Sequence, residues 1–443
     1  MSLEEQQQLE NEYVMQTFAR KPVQLVSGSG MVLKDSTGKE YLDFLAGIGV
    51  CSLGHCHPVL QNALKEQIEK LIHVGNYYYI EKRGELSQTI SNLLNSSSNV
   101  ESSKEEHSVE NWKTFYANSG AEANECAIKL ARLYAQRYTE KVSAKGTSEN
   151  SKARETKNAA KAQNQSTECV AYPYKIVVLD NSFHGRTLAT LAATAQGAKQ
   201  NAFKPLPEGF ISTPINNVHA LKEVFQQYEG QICAVMTECI QGESGVHPLT
   251  SEFMQAIRNL THENNALMIC DEVQTGIYRC GVPFAFQHYG VMPDVVTMAK
   301  GIASGMPMGA CAAKAHVANA FEPGLHGTTF GGSNLAIAAA DATLGELQKS
   351  YYAKHVQEMG EFLRSELAKL PHVENVRGLG LMCAADLQCG ISAPSIVEQA
   401  LGCGLLLNAT GPSTLRFLPP LICEKQHIET MCARLKTLLE GQA

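Results

Sequence analysis

Residues 265–305 read NALMICDEVQTGIYRCGVPFAFQHYGVMPDVVTMAKGIASG, and this stretch contains two short apolar runs that each end in a charged residue. The first run ends at Asp271 and the second ends at Lys300. Short apolar runs followed by a charge are typical of buried parallel strands. Because ligands of open α/β sheets bind beyond the carboxyl ends of the strands, we expect both side chains to meet in one crevice.

An amine and a carboxylate in one crevice suit pyridoxal phosphate. A lysine links covalently to the aldehyde of this cofactor, and an acid pairs with the pyridinium nitrogen and keeps it protonated. Taken alone, Asp271 or Lys300 is more often an ordinary surface residue, since charged side chains are mostly exposed. A functional interpretation of these two residues therefore depends on finding matching motifs elsewhere in the chain.

The hexapeptide DEVQTG at 271–276, followed about thirty residues later by AKG at 299–301, resembles the signature of the class III aminotransferases. The resemblance covers nearly the whole chain. It implies an α/β protein of the pyridoxal-phosphate-dependent transferase fold type I, the aspartate-aminotransferase-like fold. In this fold a large domain contains a mostly parallel central sheet, and both chain ends form a smaller α+β domain. The resemblance also implies that Lys300 and Asp271 are the catalytic residues.

The same resemblance predicts the domain bounds. Residues 1–66 form the N-terminal part of the small domain, 67–330 form the large cofactor-binding domain, and 331–443 form the C-terminal small domain. Segments 95–110 and 139–170 are polar and poor in large apolar residues, so we expect surface insertions there, the second a mobile loop. The apolar pattern from about 335 to 370 predicts one long helix.

The segment NSGAEANE, residues 118–125, follows a predicted strand and precedes a predicted helix. A strand, a Ser-Gly turn and a helix together point backbone N–H groups at a phosphate. The segment resembles the phosphate cup of the family, which implies that Ser119, Gly120 and Ala121 bind the cofactor phosphate. An ordinary N-capped helix is the alternative interpretation.

Three further cofactor contacts follow from the resemblance. NSFHGRT, residues 181–187, is similar to the family's ring-stacking loop, and it implies that Phe183 lies against the pyridine ring. Val273 would then pack on the opposite ring face, and Gln274 would bind the phenolic oxygen. HGTTFGGSN, residues 326–334, resembles a segment in which the residue matching Thr329 binds the cofactor phosphate of the neighbouring subunit. That match implies a homodimer with composite sites.

Substrate contacts are implied in the same way. Arg186 is a candidate for a bidentate grip on a substrate carboxylate. The segment TECIQGESGV, residues 237–246, keeps the acids Glu238 and Glu243 of the family, and STLRFLPPL, residues 413–421, contains Arg416. In the ornithine aminotransferase branch, the acid matching Glu243 pairs with the arginine matching Arg416 and swings aside when a dicarboxylate arrives.

The segment HVGNYYY, residues 73–79, helps to form the substrate channel in the family. This match makes Asn76 and Tyr78 candidates for substrate binding. Three consecutive tyrosines cannot all face one core, so packing at an interface is an equally good interpretation of this segment.

MQTFARKPV, residues 15–23, is similar to the opening of acetylornithine aminotransferases. It implies ping-pong transfer of the δ-amino group of N2-acetyl-L-ornithine to 2-oxoglutarate, as in arginine biosynthesis. Succinylornithine, succinyl-diaminopimelate, ornithine and 4-aminobutyrate stay open as donors. An aminomutase on the same fold, or a scaffold that binds the cofactor without turnover, are further alternatives. The sequence does not distinguish a dimer from a dimer of dimers.

The composition and the motifs exclude several classes of partner and function. The 443 residues are 44% hydrophobic with a formal net charge of −7, and no basic patch stands out, so nucleic acid is not expected. No apolar run approaches about eighteen residues, so we expect no membrane span. No GxGxxG follows an early strand, which disfavours a nicotinamide enzyme.

The fourteen cysteines and the N-terminus indicate the compartment. The cysteines are scattered through hydrophobic runs, which is typical of reduced, buried thiols. The cluster CSLGHCH at 51–57 lacks a second Cys/His pair at finger spacing, so no metal is expected. The N-terminal segment MSLEEQQQLENEY is acidic and lacks an apolar core, which predicts a cytosolic protein.

Overall fold

The computed structural model describes residues 1–96, 109–149 and 172–442, with the backbone alone for 142–149. Its α-helices are α1 (Leu3–Tyr13), α2 (Ala46–Gly49), α3 (Pro58–Lys70), α4 (Arg83–Asn95), α5 (Gly120–Glu149), α6 (Leu188–Ala193), α7 (Gly197–Gln200), α8 (Val218–Gln227), α9 (Ser251–Glu263), α10 (Ala315–Ala318), α11 (Asn334–Leu347), α12 (Tyr351–Leu367), α13 (Ala393–Gly402) and α14 (Lys425–Glu440). Short 3-10 helices span Asn201–Phe203, Ala285–Tyr289 and Lys300–Ala303.

The strands alternate with these helices through the middle of the chain and cluster near both of its ends. They are β1 (Leu25–Ser29), β2 (Val32–Asp35), β3 (Glu40–Asp43), β4 (Trp112–Ala117), β5 (Lys175–Leu179), β6 (Phe210–Thr213), β7 (Ile232–Glu238), β8 (Ile240–Gln241), β9 (His247–Pro248), β10 (Leu267–Asp271), β11 (Val295–Met298), β12 (Gly309–Lys314), β13 (Val373–Leu379), β14 (Met382–Leu387), β15 (Leu405–Leu406), β16 (Asn408–Ala409) and β17 (Thr414–Phe417).

The central sheet has seven strands in the order β4-β12-β11-β10-β7-β5-β6. The strands β6, β5, β7, β10 and β11 run parallel to one another. Only β12 opposes them, because it pairs antiparallel with both β11 and β4. The predicted α/β fold with a mostly parallel central sheet is therefore confirmed.

Both faces of the central sheet are buried, and β10 shows why its sequence is apolar at every position before the charge. Leu267 and Ile269 belong to one core cluster, and Met268 and Cys270 belong to the other. Helix α5 contributes to the first cluster, and helix α9 contributes to the second. Because successive side chains of a strand point to opposite faces, a strand between two helical layers needs apolar residues throughout.

Helix α9 illustrates how the crossovers are encoded. Thr250 caps the helix, since its side chain accepts a hydrogen bond from the backbone N–H of Phe253. Phe253, Met254, Ile257 and Thr261 are buried, and their spacing of three to four residues puts them on one face of the helix. This face packs on the sheet and delivers the chain to the start of β10.

A smaller sheet joins residues from the two ends of the chain. The strands β1, β2 and β3 form an antiparallel meander, and β15 adds to it in parallel with Leu405 opposite Leu42. A further sheet has the order β13-β14-β17-β16. These pairings fit the expected small domain, whose bounds at 66/67 and 330/331 stay a prediction.

Two predicted elements were wrong in their extent. The pattern from 335 to 370 predicts one helix, but α11 ends at Leu347 and α12 begins at Tyr351. The segment 139–170 predicts a loop, but α5 continues to Glu149, because a helix anchored on a sheet extends cheaply by one hydrogen bond per residue. Residues 97–108 and 150–171, which hold most of the two predicted insertions, lie outside the described residues.

Candidate active site

The carboxyl ends of β10 and β11 bring Asp271 and Lys300 to one cavity of about 390 Å³. Asp271 is the last residue of β10, and it lies opposite Thr297 in the parallel pairing with β11. Lys300 follows the end of β11 by two residues. The predicted meeting of these two side chains in a crevice is confirmed, and their catalytic roles stay a prediction.

Lys300 presents a free amine to the cavity. Its Nζ forms no hydrogen bond or ion pair with any other residue that the structure describes. Burial lowers the pKa of Lys300, although the charge of Glu243 opposes this effect. Its backbone has a φ of 46°, a left-handed conformation that costs a non-glycine residue about 1–2 kcal/mol. The fold thus holds an amine with a lowered pKa in an unusual backbone conformation, as is common at functional sites.

Asp271 is held by three hydrogen bonds. Its carboxylate accepts from Asn124 Nδ2 at 2.8 Å, from His184 Nδ1 at 2.7 Å and from the backbone N–H of Val273 at 3.0 Å. Asn124 is itself fixed, because its Oδ1 accepts from Thr297 Oγ1 at 2.6 Å. The carboxylate therefore keeps one orientation before any ligand binds.

His184 is fully buried beside this carboxylate. Burial alone would lower the pKa of His184, but the hydrogen bond and the charge of Asp271 outweigh it and raise the pKa. Sequence reasoning missed both His184 and Asn124 as partners of Asp271. A usable signal existed, since His184 follows Phe183 directly and Asn124 lies one helical turn after Gly120.

Ser119 lies in the turn after β4, Gly120 and Ala121 are the first residues of α5, and all three line the cavity. Glycine is required at position 120, because a Cβ there would lie 2.7 Å from Cγ1 of Val273. It is also required at position 309 of β12, where a Cβ would lie 2.2 Å from the carbonyl oxygen of Ser119. The free N–H groups at the start of a helix make such a close-packed turn a suitable anion site.

Phe183 and Val273 also line the cavity, so the structure brings the two predicted ring contacts together. The backbone N–H of Phe183 donates to Glu238 Oε2 at 3.0 Å, and that of Gly242 donates to Oε1 at 3.3 Å. Burial raises the pKa of Glu238 to about 7. Glu238 therefore fixes the loop that carries Phe183 while its own side chain faces the cavity.

Glu243 and Arg416 form the predicted ion pair, with 2.6 Å between Glu243 Oε1 and Arg416 Nη1. Burial would raise the pKa of Glu243, but the charge and hydrogen bond of Arg416 lower it. Glu243 and Gln274 line the cavity, whereas Arg416 is only 2% exposed and lies behind them. The carboxylate of Glu243 thus separates the guanidinium from the cavity.

Other groups hold Arg416 in place. Its Nε and Nη2 donate to Asn408 Oδ1 at 3.1 and 2.8 Å, and its Nη1 donates to the carbonyl oxygen of Gly242 at 2.9 Å. Gln274 contacts both members of the ion pair at 3.4 Å. Sequence reasoning missed Asn408, which lies on β16 opposite Arg416 on β17.

Besides Arg416, which lies behind the cavity wall, three predicted site residues do not line this cavity. Asn76 donates to the carbonyl oxygens of Thr328 and Gly331 at 3.0 and 3.1 Å. The side chain of Tyr78 is 65% exposed, and Thr329 is exposed as well. Within one chain, Asn76 and Tyr78 therefore do not lie beside the other residues predicted to bind substrate. The side-chain amide of Asn76 is already bonded to backbone carbonyls, and the ring of Tyr78 is exposed to solvent.

Within the described ranges, no three His, Cys, Asp or Glu side chains are grouped so that they could hold a metal ion. No helix in the described part of the chain is both long and apolar enough to cross a membrane.

Comparison with known proteins places the chain in a family. The family model of the class-III aminotransferases matches residues 15–439. The acetylornithine aminotransferase of Caldanaerobacter subterraneus subsp. tengcongensis is 43% identical over 426 residues, which cover 95% of each chain. The acetylornithine aminotransferase of Methanocaldococcus jannaschii is 41% identical over 435 residues, which cover 97% of each chain.

Solved structures agree with this assignment. The ornithine aminotransferase from Toxoplasma gondii matches with a TM-score of 0.84 and 28% identity, over 99% of this chain and 94% of that chain. The N-acetylornithine aminotransferase from Stenotrophomonas maltophilia matches with a TM-score of 0.74 and 31% identity, over 98% of each chain. With its motifs, its fold and its cavity all in agreement, the chain belongs to the class-III aminotransferases.

Proposed function

We propose that the protein is an acetylornithine aminotransferase. It transfers the δ-amino group of N2-acetyl-L-ornithine to 2-oxoglutarate and yields N-acetyl-L-glutamate 5-semialdehyde and L-glutamate. The observation that carries this proposal is the covered arginine, Arg416, behind Glu243 in the cavity that also holds Lys300. Relatives named acetylornithine aminotransferase, at 36–43% identity, support the choice of donor.

The cavity fits pyridoxal 5′-phosphate as the cofactor. The glycine at position 120 leaves no room for a Cβ, so backbone N–H groups at the start of α5 can approach a phosphate closely. Asp271 offers a fixed carboxylate for the pyridinium nitrogen, and Lys300 offers a free amine for the aldehyde. When bound, pyridoxal phosphate withdraws electrons from the carbon that bears the reacting amine, which makes a proton there removable.

Each predicted cofactor contact has a role in this fit. Residues on different sides of the cavity contact different parts of the cofactor. We assign Ser119, Gly120 and Ala121 to the phosphate, Phe183 and Val273 to the two ring faces, Gln274 to the phenolic oxygen, Asp271 to the ring nitrogen and Lys300 to the aldehyde.

Lys300 is the residue that moves protons. Its Nζ takes up the proton that leaves the δ-carbon of the donor, and it later delivers a proton to the α-carbon of the forming glutamate. The first task needs an uncharged amine and the second needs a protonated one, so a pKa close to neutral pH serves both, and burial lowers the pKa of Lys300 in that direction. One site that serves two substrates in turn gives ping-pong kinetics.

The ion pair of Glu243 and Arg416 lets one site bind two substrates in different orientations. The donor must present its δ-amine to the reacting centre, whereas 2-oxoglutarate must present the carbon beside its α-carboxylate. An uncovered Arg416 would bind the α-carboxylate of the donor and turn the wrong end of the donor toward the reacting centre. The Glu243 carboxylate neutralises Arg416 until the α-carboxylate of 2-oxoglutarate displaces it. Arg186, on the Phe183 loop, then holds the remaining carboxylate of either substrate, and Glu238 fixes that loop.

The exposed residues around Thr329 support a homodimer. Tyr77 and Tyr79 are fully exposed, and the exposed fractions of Phe330 and Ile72 are 63% and 53%. The two segments that carry these side chains contact each other, since Asn76 donates to the carbonyl oxygens of Thr328 and Gly331 and the rings of His73 and Phe330 pack together. Large exposed side chains near one another are typical of subunit interfaces. In the proposed dimer, Thr329 of each subunit reaches the cofactor phosphate of the other, and Asn76 and Tyr78 border the neighbouring substrate channel.

The proposed reaction places the protein in arginine biosynthesis, and we propose the cytoplasm as its compartment. The free cysteines support this choice, since Cys126, Cys233, Cys270 and Cys311 are buried thiols without a disulfide partner. Disulfides persist in oxidising compartments, whereas reduced thiols are typical of the cytosol.

A panel of amine donors with 2-oxoglutarate tests the proposed function. We expect kcat/KM for N2-acetyl-L-ornithine to exceed that for L-ornithine or 4-aminobutyrate by about tenfold or more, because binding discriminates a missing group by roughly that factor. Glutamate formation reports the rate. A preference for an unacylated donor would contradict the proposed substrate, and conversion of a donor without any oxo acid would favour an aminomutase.

The substitution Glu243→Ala tests the covered arginine. It uncovers Arg416, so we expect kcat/KM for the α-amine of L-glutamate to rise about tenfold relative to that for N2-acetyl-L-ornithine, as a charge-assisted contact is worth about 1.5–3 kcal/mol. The two half-reactions are followed separately by cofactor absorbance. Glu243→Gln keeps the shape and removes the charge, and it should act in the same direction. An unchanged ratio of the two donors in both variants would rule out the switch.

The substitution Thr329→Val tests the composite site. We expect a wild-type mass of two subunits by light scattering, and a cofactor dissociation constant raised about tenfold in the variant, because one hydrogen bond to a charged phosphate is lost. Thr437→Val, on the exposed face of α14, is the matched control and should leave the cofactor affinity unchanged. A monomeric wild type, or equal affinities in both variants, would count against the shared site.

A further inference from the structure

A second basic side chain lies beside the ring of Phe183. Lys199, on the short helix α7, places its Nζ 4.7 Å from the ring centroid. Arg186 places its Cζ 5.6 Å from the same centroid. Phe183 and Arg186 line the cavity, and Lys199 does not line it but contacts the ring of Phe183, which does. No motif in the sequence pointed to Lys199.

Neither cation is neutralised within the described chain. Lys199 Nζ and the Arg186 guanidinium form no hydrogen bond or ion pair with any described residue. The nearby acids are already engaged, since Glu243 pairs with Arg416 at 2.6 Å and Glu238 accepts two backbone N–H groups. Two cations that share one ring without an anion repel each other, and a half-buried site screens that repulsion only in part.

The electrostatic surroundings of Lys199 agree with this geometry. Burial is the largest effect and lowers the pKa of Lys199, and the charge of Arg186 acts in the same direction. The charges of Glu243 and Glu238 act in the opposite direction but do not outweigh burial. An anion bound between Lys199 and Arg186 would therefore stabilise the charged form of the lysine.

We propose that Lys199 is a second binding residue for the carboxylate of the substrate, acting together with Arg186 beside Phe183. The inference rests on the proposed function, in which the donor and the acceptor each bring one carboxylate to this wall of the cavity. The planar guanidinium of Arg186 can bind both carboxylate oxygens at once, while the flexible ammonium of Lys199 can follow one of them. Together they make the enzyme selective for amines that carry a carboxylate.

The substitution Lys199→Met tests the proposal, because it removes the charge and keeps an apolar stem against Phe183. In the holoenzyme we expect the KM for N2-acetyl-L-ornithine to rise about tenfold with little change in kcat, as expected for a lost charge-assisted contact at a half-buried site. N-acetylputrescine is the same donor without its carboxylate, and its KM should not change. Lys199→Arg should restore most of the affinity for the carboxylate substrate.

Two controls separate the possible outcomes. Lys222→Met, on the exposed surface of α8, should leave every constant at the wild-type value. Binding of glutarate, an unreactive dicarboxylate, to the holoenzyme should weaken about tenfold in Lys199→Met, and this readout does not depend on the identity of the donor. A wild type that fails to use N2-acetyl-L-ornithine would overturn the proposed function, and glutarate binding would then decide the role of Lys199.

The proposal is wrong if Lys199→Met leaves the KM for N2-acetyl-L-ornithine and the glutarate affinity unchanged. It is also wrong if the KM values for N2-acetyl-L-ornithine and N-acetylputrescine rise by equal factors, because that result would show a merely structural effect on the Phe183 loop.

Discussion

The parallel pairing of β7, β10 and β11 is the constraint on which the site depends. The register puts Asp271 opposite Glu238 on one side and opposite Thr297 on the other, three residues before Lys300. Because these strands are buried on both faces, a slip of one residue would move every side chain to the wrong helical layer. The hydrophobic pattern of the sheet thus fixes which charged groups arrive together at its carboxyl edge, although none of those groups contributes to the core.

The groups at this edge differ in how firmly they are held, and the differences match their proposed tasks. Asp271 receives three hydrogen bonds and cannot turn. Lys300 receives none from the described residues, so its amine can travel between atoms of the ligand. Arg416 is fixed by Asn408, while the side chain of Glu243 that covers it is 25% exposed, and in the proposed mechanism this carboxylate moves aside. A fixed acid, a mobile base and a removable cover are what a two-substrate transfer at one site requires.

The strand that ends in Asp271 and the strand that precedes Lys300 could be predicted from the sequence, because an apolar run followed by a charge is a local signal. The pairing of Glu243 with Arg416 could not be predicted from residue patterns, since the two lie 173 positions apart, and it came from family resemblance alone. The partners of Asp271 were missed for a related reason. Asn124 and His184 lie inside motifs that point to the site, but nothing in the local sequence shows that each of them will contact Asp271.

Helix bounds were the other weak point of the prediction. The apolar spacing continues on both sides of the break between Leu347 and Tyr351, because α11 and α12 each bury a face of their own. The end of α5 at Glu149 lies in sequence with few apolar residues, where periodicity gives no signal. The position of Lys199 beside Phe183 could not be predicted, because α7 is only four residues long and its sequence has no repeating pattern.

The central claim is that Lys300 joins covalently to pyridoxal phosphate in the cavity beside Asp271. Borohydride reduction of the cofactor-loaded protein, followed by peptide mass mapping, tests it most directly, since reduction makes the link between an amine and the cofactor aldehyde permanent. The claim predicts one phosphopyridoxyl group per chain, on the peptide that contains Lys300. A label on another lysine, or no label on a protein that still catalyses transamination, would contradict it.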